Sequence, residues 1–228
     1  MEIKFLGHAC FQITIGGKII VLDPFITGNE LAIAAGVNID EIKADYILIS
    51  HGHSDHIGDL VYLANKTQAQ VISAYEICTW LGSQGYTNSH PMNVGGKKIL
   101  EFGSVKMTYA LHSSSFSDGS YAGIPTGFLI SGEGTTIYYS GDTALTNEMK
   151  LLGDLNKIDY AILSIGGNFT MDAADANIAA DFIKCKNIIA MHYDTFGFIK
   201  INHEESKQIF SQSGKELHFI KIGESIEI

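Results

Sequence analysis

Arginine is missing from all 228 residues; the fifteen basic side chains are lysines. The bidentate guanidinium fork for phosphate and carboxylate groups is thereby excluded. An anion must be held by lysine, hydroxyls, backbone amides or a metal. Net charge is −10, and affinity for polyphosphate comes mainly from cationic contacts, so a nucleic-acid partner is not expected. No apolar run approaches the roughly 18 residues that span a bilayer, so no membrane partner is expected either. Met1-Glu2-Ile3-Lys4-Phe5 lacks the basic, apolar, small-residue layout of a signal peptide. Cysteine is scarce: Cys10, Cys78 and Cys185 are scattered, odd in number and without CxxC spacing. Such a set suits reduced core thiols better than a disulfide framework and points to the cytoplasm. Linkers rich in proline or serine are also absent. Residues 1–228 are therefore expected to form a single domain.

What is present is a series of short β-like runs: Ile3–Leu6, Cys10–Ile15 and Ile19–Leu22, with Gly16-Gly17 as a hairpin turn. Tyr46-Ile47-Leu48-Ile49 reads as an interior strand, and Ile57, Leu60, Val61 and Ala64 follow at helical spacing. Further strands are expected at Val71–Ser73, Lys98–Glu101, Val105–Leu111, Phe128–Ile130, Thr136–Tyr139, Tyr160–Leu163 and Ile188–Met191. Helices are expected over Tyr75–Leu81, through Ile178, Phe182 and Cys185, and after Asn202, whose Glu205 completes an N-cap pair. Strands interleaved with a few helices predict sheets sandwiched by helices.

Between the interior strand and its helix lies His51-Gly52-His53-Ser54-Asp55-His56, three imidazoles and a carboxylate within six residues. Protonated rings repel one another, and neutral rings each need hydrogen-bond partners. A divalent cation removes both difficulties, because neutral imidazole is a preferred metal ligand. A strand-to-helix loop is also where a rigid scaffold can aim side chains at one point.

His51-x-His53-x-Asp55-His56 resembles the signature of the metallo-β-lactamase-like superfamily in its two-metal variant. His112, Asp142 and His192, each after an apolar β-like run, are similar to that family's later ligands. The Ile165–Met171 and Met191–Phe196 stretches bring the chain nearest a compact bacterial group of metal-dependent hydrolases, distantly similar to ascorbate-6-phosphate lactonases. The resemblance implies an α/β (α+β) fold, a four-layer αββα sandwich. It implies one ion on His51, His53 and His112, a second on Asp55, His56 and His192, and Asp142 between them. Two divalent ions follow, zinc first, with manganese, iron or nickel compatible with a ligand set lacking thiolate. It also implies an Asp23 that orients a ligand imidazole, and a His8 facing the metal cavity, where it contacts substrate, supports a metal ligand from behind, or joins Asp55 and Asp142 in catalysis.

Asn168, Thr170 and Tyr193, with Phe169, Thr195 and Phe196, are candidates for the cavity lining by adjacency. His90, in a polar turn, and His203 and His218 read as surface or locally satisfied histidines. The serine-rich Ser113–Ala122 is either a disordered connector or a substrate loop, and its place after His112 favours the second. The reaction implied is hydrolysis of a small ester, lactone or phosphoester by a metal-bridging hydroxide, whose parent water is acidified from about 15.7 to about 7 by such ions. The alternatives are a phosphodiesterase or nuclease and a non-catalytic metal-binding regulator. An oxygen-reducing di-iron role is argued against by His53, where a carboxylate would stand. A homo-oligomer is compatible with the sequence.

Overall fold

Gly16 and Gly17, at φ +56° and +73°, make the left-handed turn that a tight hairpin needs. Around it β1 (Glu2–Gly7), β2 (Cys10–Ile15) and β3 (Lys18–Leu22) pair antiparallel, with Ile15 opposite Lys18. The architecture is that of a computed structural model describing residues 1–228. From β3 the pairing becomes parallel, through β4 (Tyr46–Leu48), β5 (Gln70–Ala74) and β6 (Ser89–Met92). The second sheet repeats this order. β7 (Lys97–Leu100), β8 (Gly103–Tyr109), β9 (Thr126–Gly132) and β10 (Thr135–Tyr139) are antiparallel; β11 (Tyr160–Ser164), β12 (Asn187–Met191) and β13 (Glu216–His218) continue parallel. A last strand, β14 (Ser225–Glu227), returns to pair with β1, giving seven strands in each sheet.

Helices flank both sheets. α1 (Glu30–Ala34) lies against β1, and α4 (Tyr75–Ser83) covers β5 and β6; between them run α2 (Ser54–Ile57) and α3 (Leu60–Thr67). On the other sheet α5 (Glu148–Leu155) packs on α6 (Ala173–Phe182), which meets β11, and α7 (His203–Gln212) covers β13. One apolar cluster of 61 buried residues draws on both sheets, and the Tyr139 hydroxyl reaches across between them, 3.0 Å from the Ala9 carbonyl oxygen. No helix is long and apolar enough to cross a membrane.

Several local expectations are corrected. Ile178 is 42% exposed, because α6 buries Ala173, Ala176, Ala179 and Ala180 instead. A Cβ on Gly153 of α5 would stand 2.3 Å from the Phe182 carbonyl oxygen, so the two helices cross too closely for large side chains. His90 belongs to β6 rather than a turn; β6 ends its sheet, and only an edge strand accepts Pro91. The helix after the histidine cluster is two helices, broken at Gly58-Asp59. There Asp59 accepts from the Ile26 and Thr27 amides, at 2.5 and 2.9 Å, fastening the chain after β3 to the histidine loop.

Candidate metal centre

The two halves bring matching loops to one rim. His8 follows β1 and His112 follows β8; Asp23 follows β3 and Asp142 follows β10. His51–His56 follows β4 and His192 follows β12, so these side chains stand at the carboxyl ends of parallel strands. Two long-range ties close the rim. Leu111 N–H donates to Thr143 Oγ1 at 3.0 Å, placing His112 beside Asp142. His192 N–H donates to the His8 carbonyl at 2.8 Å, and their rings lie 4.2 Å apart.

Three groups have donor atoms within 4.8 Å of one another: the clusters His51, His53 and His112, and His8, Asp55, His56 and His192, and a third group of Asp23, His51 and His56 that draws one histidine from each. His51 Nε2 and His53 Nδ1 are 2.9 Å apart. Asp142 stands between the clusters, with Oδ2 at 2.9 Å from His192 Nε2, 3.2 Å from His56 Nε2 and 3.7 Å from His112 Nε2. Asp142 Oδ1 and His56 Nε2 are nonetheless buried without a hydrogen-bond partner. Each such atom costs about 1–3 kcal/mol if left alone. Unpartnered atoms of this kind, in a set of imidazoles and carboxylates, are what a divalent cation satisfies by displacing any proton they carry, so the residues fit the group.

Burial holds the His51, His53 and His112 imidazoles below the ordinary histidine range, leaving neutral rings with free lone pairs. His56 and His192 go the other way. Burial opposes their protonation, but Asp142 outweighs it, aided by Asp23 for the first and Asp55 for the second. His192 is thereby raised to about 9. Burial of Asp142 and half-burial of Asp55 oppose ionisation, yet their histidine neighbours hold both below the usual carboxylate range.

Backbone strain gathers here as well. His8, Asp23 and His192 have φ of 58°, 41° and 58°, left-handed values that cost non-glycine residues about 1–3 kcal/mol each.

Comparison with known proteins identifies the family. A family model described as a beta-lactamase superfamily domain matches residues 2–192. The chain is 53% identical to a UPF0173 metal-dependent hydrolase of Flavobacterium johnsoniae and 50% identical to one of Christiangramia forsetii, covering both completely. The chain belongs to the metallo-β-lactamase superfamily, among the UPF0173 metal-dependent hydrolases. Among solved structures, Igni18, a metallo hydrolase from the archaeon Ignicoccus hospitalis, superposes with a TM-score of 0.88 at 32% identity, covering 99% of this chain and 97% of its own.

In this superfamily member two residues that the sequence did not single out, Ser50 and Tyr139, hold the centre through Asp23. Asp23 accepts from Ser50 N–H at 2.8 Å, from Ser50 Oγ at 2.5 Å and from Tyr139 Oη at 2.7 Å. Ser50 Oγ also lies 3.0 Å from His51 Nδ1. The only signal for Ser50 was a lone hydroxyl beside the motif, and for Tyr139 there was none.

Other expectations are redrawn. Of the places open to His8, the structure shows the one behind a ligand: the ring is buried, with Nε2 3.1 Å from Asp55 Oδ2 and Nδ1 2.9 Å from Thr195 Oγ1. The open cavity, about 350 Å³, is lined by His53, Asp55, His112, Ser113, Asp142, Phe169, His192 and Phe196. Asn168 is exposed outside it, and the Thr170 hydroxyl donates to the Met171 carbonyl. Tyr193 sits between left-handed His192 and Asp194, which turns its ring away onto Phe5 and Phe219. The Ser113–Ala122 loop is closed by a bridge between Ser115 and Tyr121, and only Ser113 reaches the cavity.

Proposed function

We propose that this metal-dependent hydrolase works with two divalent ions, zinc first, on a small ester, lactone or phosphoester in the cytoplasm. The observation that carries the reading is Asp142, whose carboxylate stands between two clusters of donor atoms. His51, His53 and His112 would hold one ion, Asp55, His56 and His192 the other, with Asp142 shared. Such a pair supplies an acidified water and a field for the developing oxyanion. The chain's own residues do the rest. An ionised carboxylate only accepts, so the His8 Nε2–H donates to Asp55 and fixes which oxygen faces the cavity. Asp23 accepts from His56 Nδ1–H and so orients that ring, and Phe196 with Phe169 lines the mouth.

Metal analysis of the purified protein, with turnover of a chromogenic ester, a lactone and a phosphodiester, tests this reading. His53→Ala or Asp142→Ala should lose one ion and hydrolysis together; turnover retained by either variant would refute it. RNA binding at low salt discriminates the nuclease reading, which the acidic, arginine-free chain disfavours.

A further inference from the structure

Above the imidazoles the cavity changes character. Besides the histidines, the two aspartates and Ser113, its lining is Phe169 and Phe196, and no lysine is among them. With arginine absent from the chain, neither lysine nor arginine faces a group bound against the two rings. The aromatic wall also extends outward. Phe169, 52% exposed, meets Phe198, 77% exposed, edge-on at 6.2 Å between ring centres. Phe196, at 38%, backs onto Phe25 at 6.4 Å.

The core does not require this wall. Phe169 follows Asn168, at φ 54°, in the loop after β11, so strained backbone precedes the exposed ring. Phe198 is the middle residue of a single 3₁₀ turn, Gly197–Ile199, fastened by wholly buried Ile199. Outward rings on anchored loops, continuous with a cavity floored by metal-ligand chemistry, form a surface suited to a flat apolar group.

We infer that the substrate carries an uncharged aromatic group on the side away from the reacting bond, bound against Phe169, Phe196 and Phe198; this rests on the hydrolase reading. The reacting carbonyl lies over the imidazoles and the ring stacks on the wall. A charge on that ring would meet aromatic faces and find no lysine or arginine to pair with. The substrate class is therefore neutral aryl or aralkyl esters and lactones, not phosphorylated sugars.

The test compares the metal-loaded protein on dihydrocoumarin, an aromatic-fused lactone, and on δ-valerolactone, its aliphatic counterpart. Phe169→Ala and Phe198→Ala should each lower kcat/KM for dihydrocoumarin by roughly three- to tenfold, the worth of one aromatic contact. The loss should be smaller for δ-valerolactone. Leucine at either position should restore part of it, which separates lost contact from misfolding. Adding a carboxylate to the dihydrocoumarin ring should cost roughly tenfold. In saturation-transfer NMR on metal-free protein, the dihydrocoumarin ring protons should receive saturation from wild type and lose it in Phe198→Ala. Equal losses on both lactones, or no transfer to the ring, would overturn the inference with hydrolysis intact. A dimer that Phe198→Ala splits without kinetic change would assign the wall to a second copy and overturn it too. Failure to hydrolyse either lactone strikes the parent reading, while the NMR arm still decides the subsite.

Discussion

Asp23 Oδ2 accepts a hydrogen bond from His56 Nδ1 over 2.8 Å, with both side chains wholly buried. That bond holds a proton on Nδ1 and turns Nε2, the atom left to bind a cation, toward Asp142 and the neighbouring cluster. Asp23→Asn should therefore weaken cation affinity about 10- to 100-fold, the range found for such supporting partners. A chelator competition measures it. Unchanged affinity would show that His56 needs no orienting partner.

The pH dependence of the metal-free protein has two arms. His192 has a folded value near 9 against an ordinary 6.5, so its contribution is complete below 6.5 and lost as pH rises through about 9. His8 is pushed down to about 4, chiefly by burial. The unfolded ring then takes up its proton near 6.5 while the folded one refuses it, and stability falls as pH drops towards 4. Denaturation at pH 4.5, 6.5 and 9 should find the greatest stability in the middle. A cation must also displace the His192 proton, so binding should release protons and tighten up to about pH 9. Calorimetry in buffers of different ionisation enthalpy counts those protons, and a count of zero would contradict the pairing described.

The cysteines should be silent. Cys10, Cys78 and Cys185 are buried, and burial raises all three thiols, Cys185 to about 11. Ellman's reagent should find no fast-reacting thiol in the native protein and three after denaturation. A fast native thiol would place one of them at the surface.

Gly141 sets the height of Asp142. Its φ is +59°, and an added Cβ would stand 2.5 Å from the Thr126 carbonyl oxygen. Gly141→Ala should cost roughly 1–3 kcal/mol of stability and displace the carboxylate, lowering cation affinity as well. Urea denaturation with the same chelator assay tests both, and a variant matching wild type in each would show that the turn relaxes freely.

Much of this centre was legible in the primary structure because its densest part is contiguous. His51, His53, Asp55 and His56 share one loop, and their chemistry is recognisable wherever the loop lies. Asp23, at the end of an apolar run, was legible through the family resemblance, and the structure places it on His56. Ser50, Tyr139 and Asp59 were not legible. A hydroxyl or carboxylate acquires its partner only when another strand or loop arrives, and Tyr139 meets Asp23 across 116 residues of chain.

Hydrophobic periodicity carries which segments are buried, because burial repeats with the local geometry of strand and helix. It placed most strands correctly and missed the face of α6, where the closeness of α5 decides and alanine leaves no periodic mark. Residue types alone likewise determined the donor chemistry and the lack of any guanidinium. Only the tertiary structure decided which ring nitrogen faces Asp142, that His8 stands behind Asp55, and that Phe169 faces the cavity while Tyr193 does not. Those outcomes depend on side-chain direction, which left-handed residues such as His192 and Asp194 reverse within one step and which distant backbone contacts hold in place.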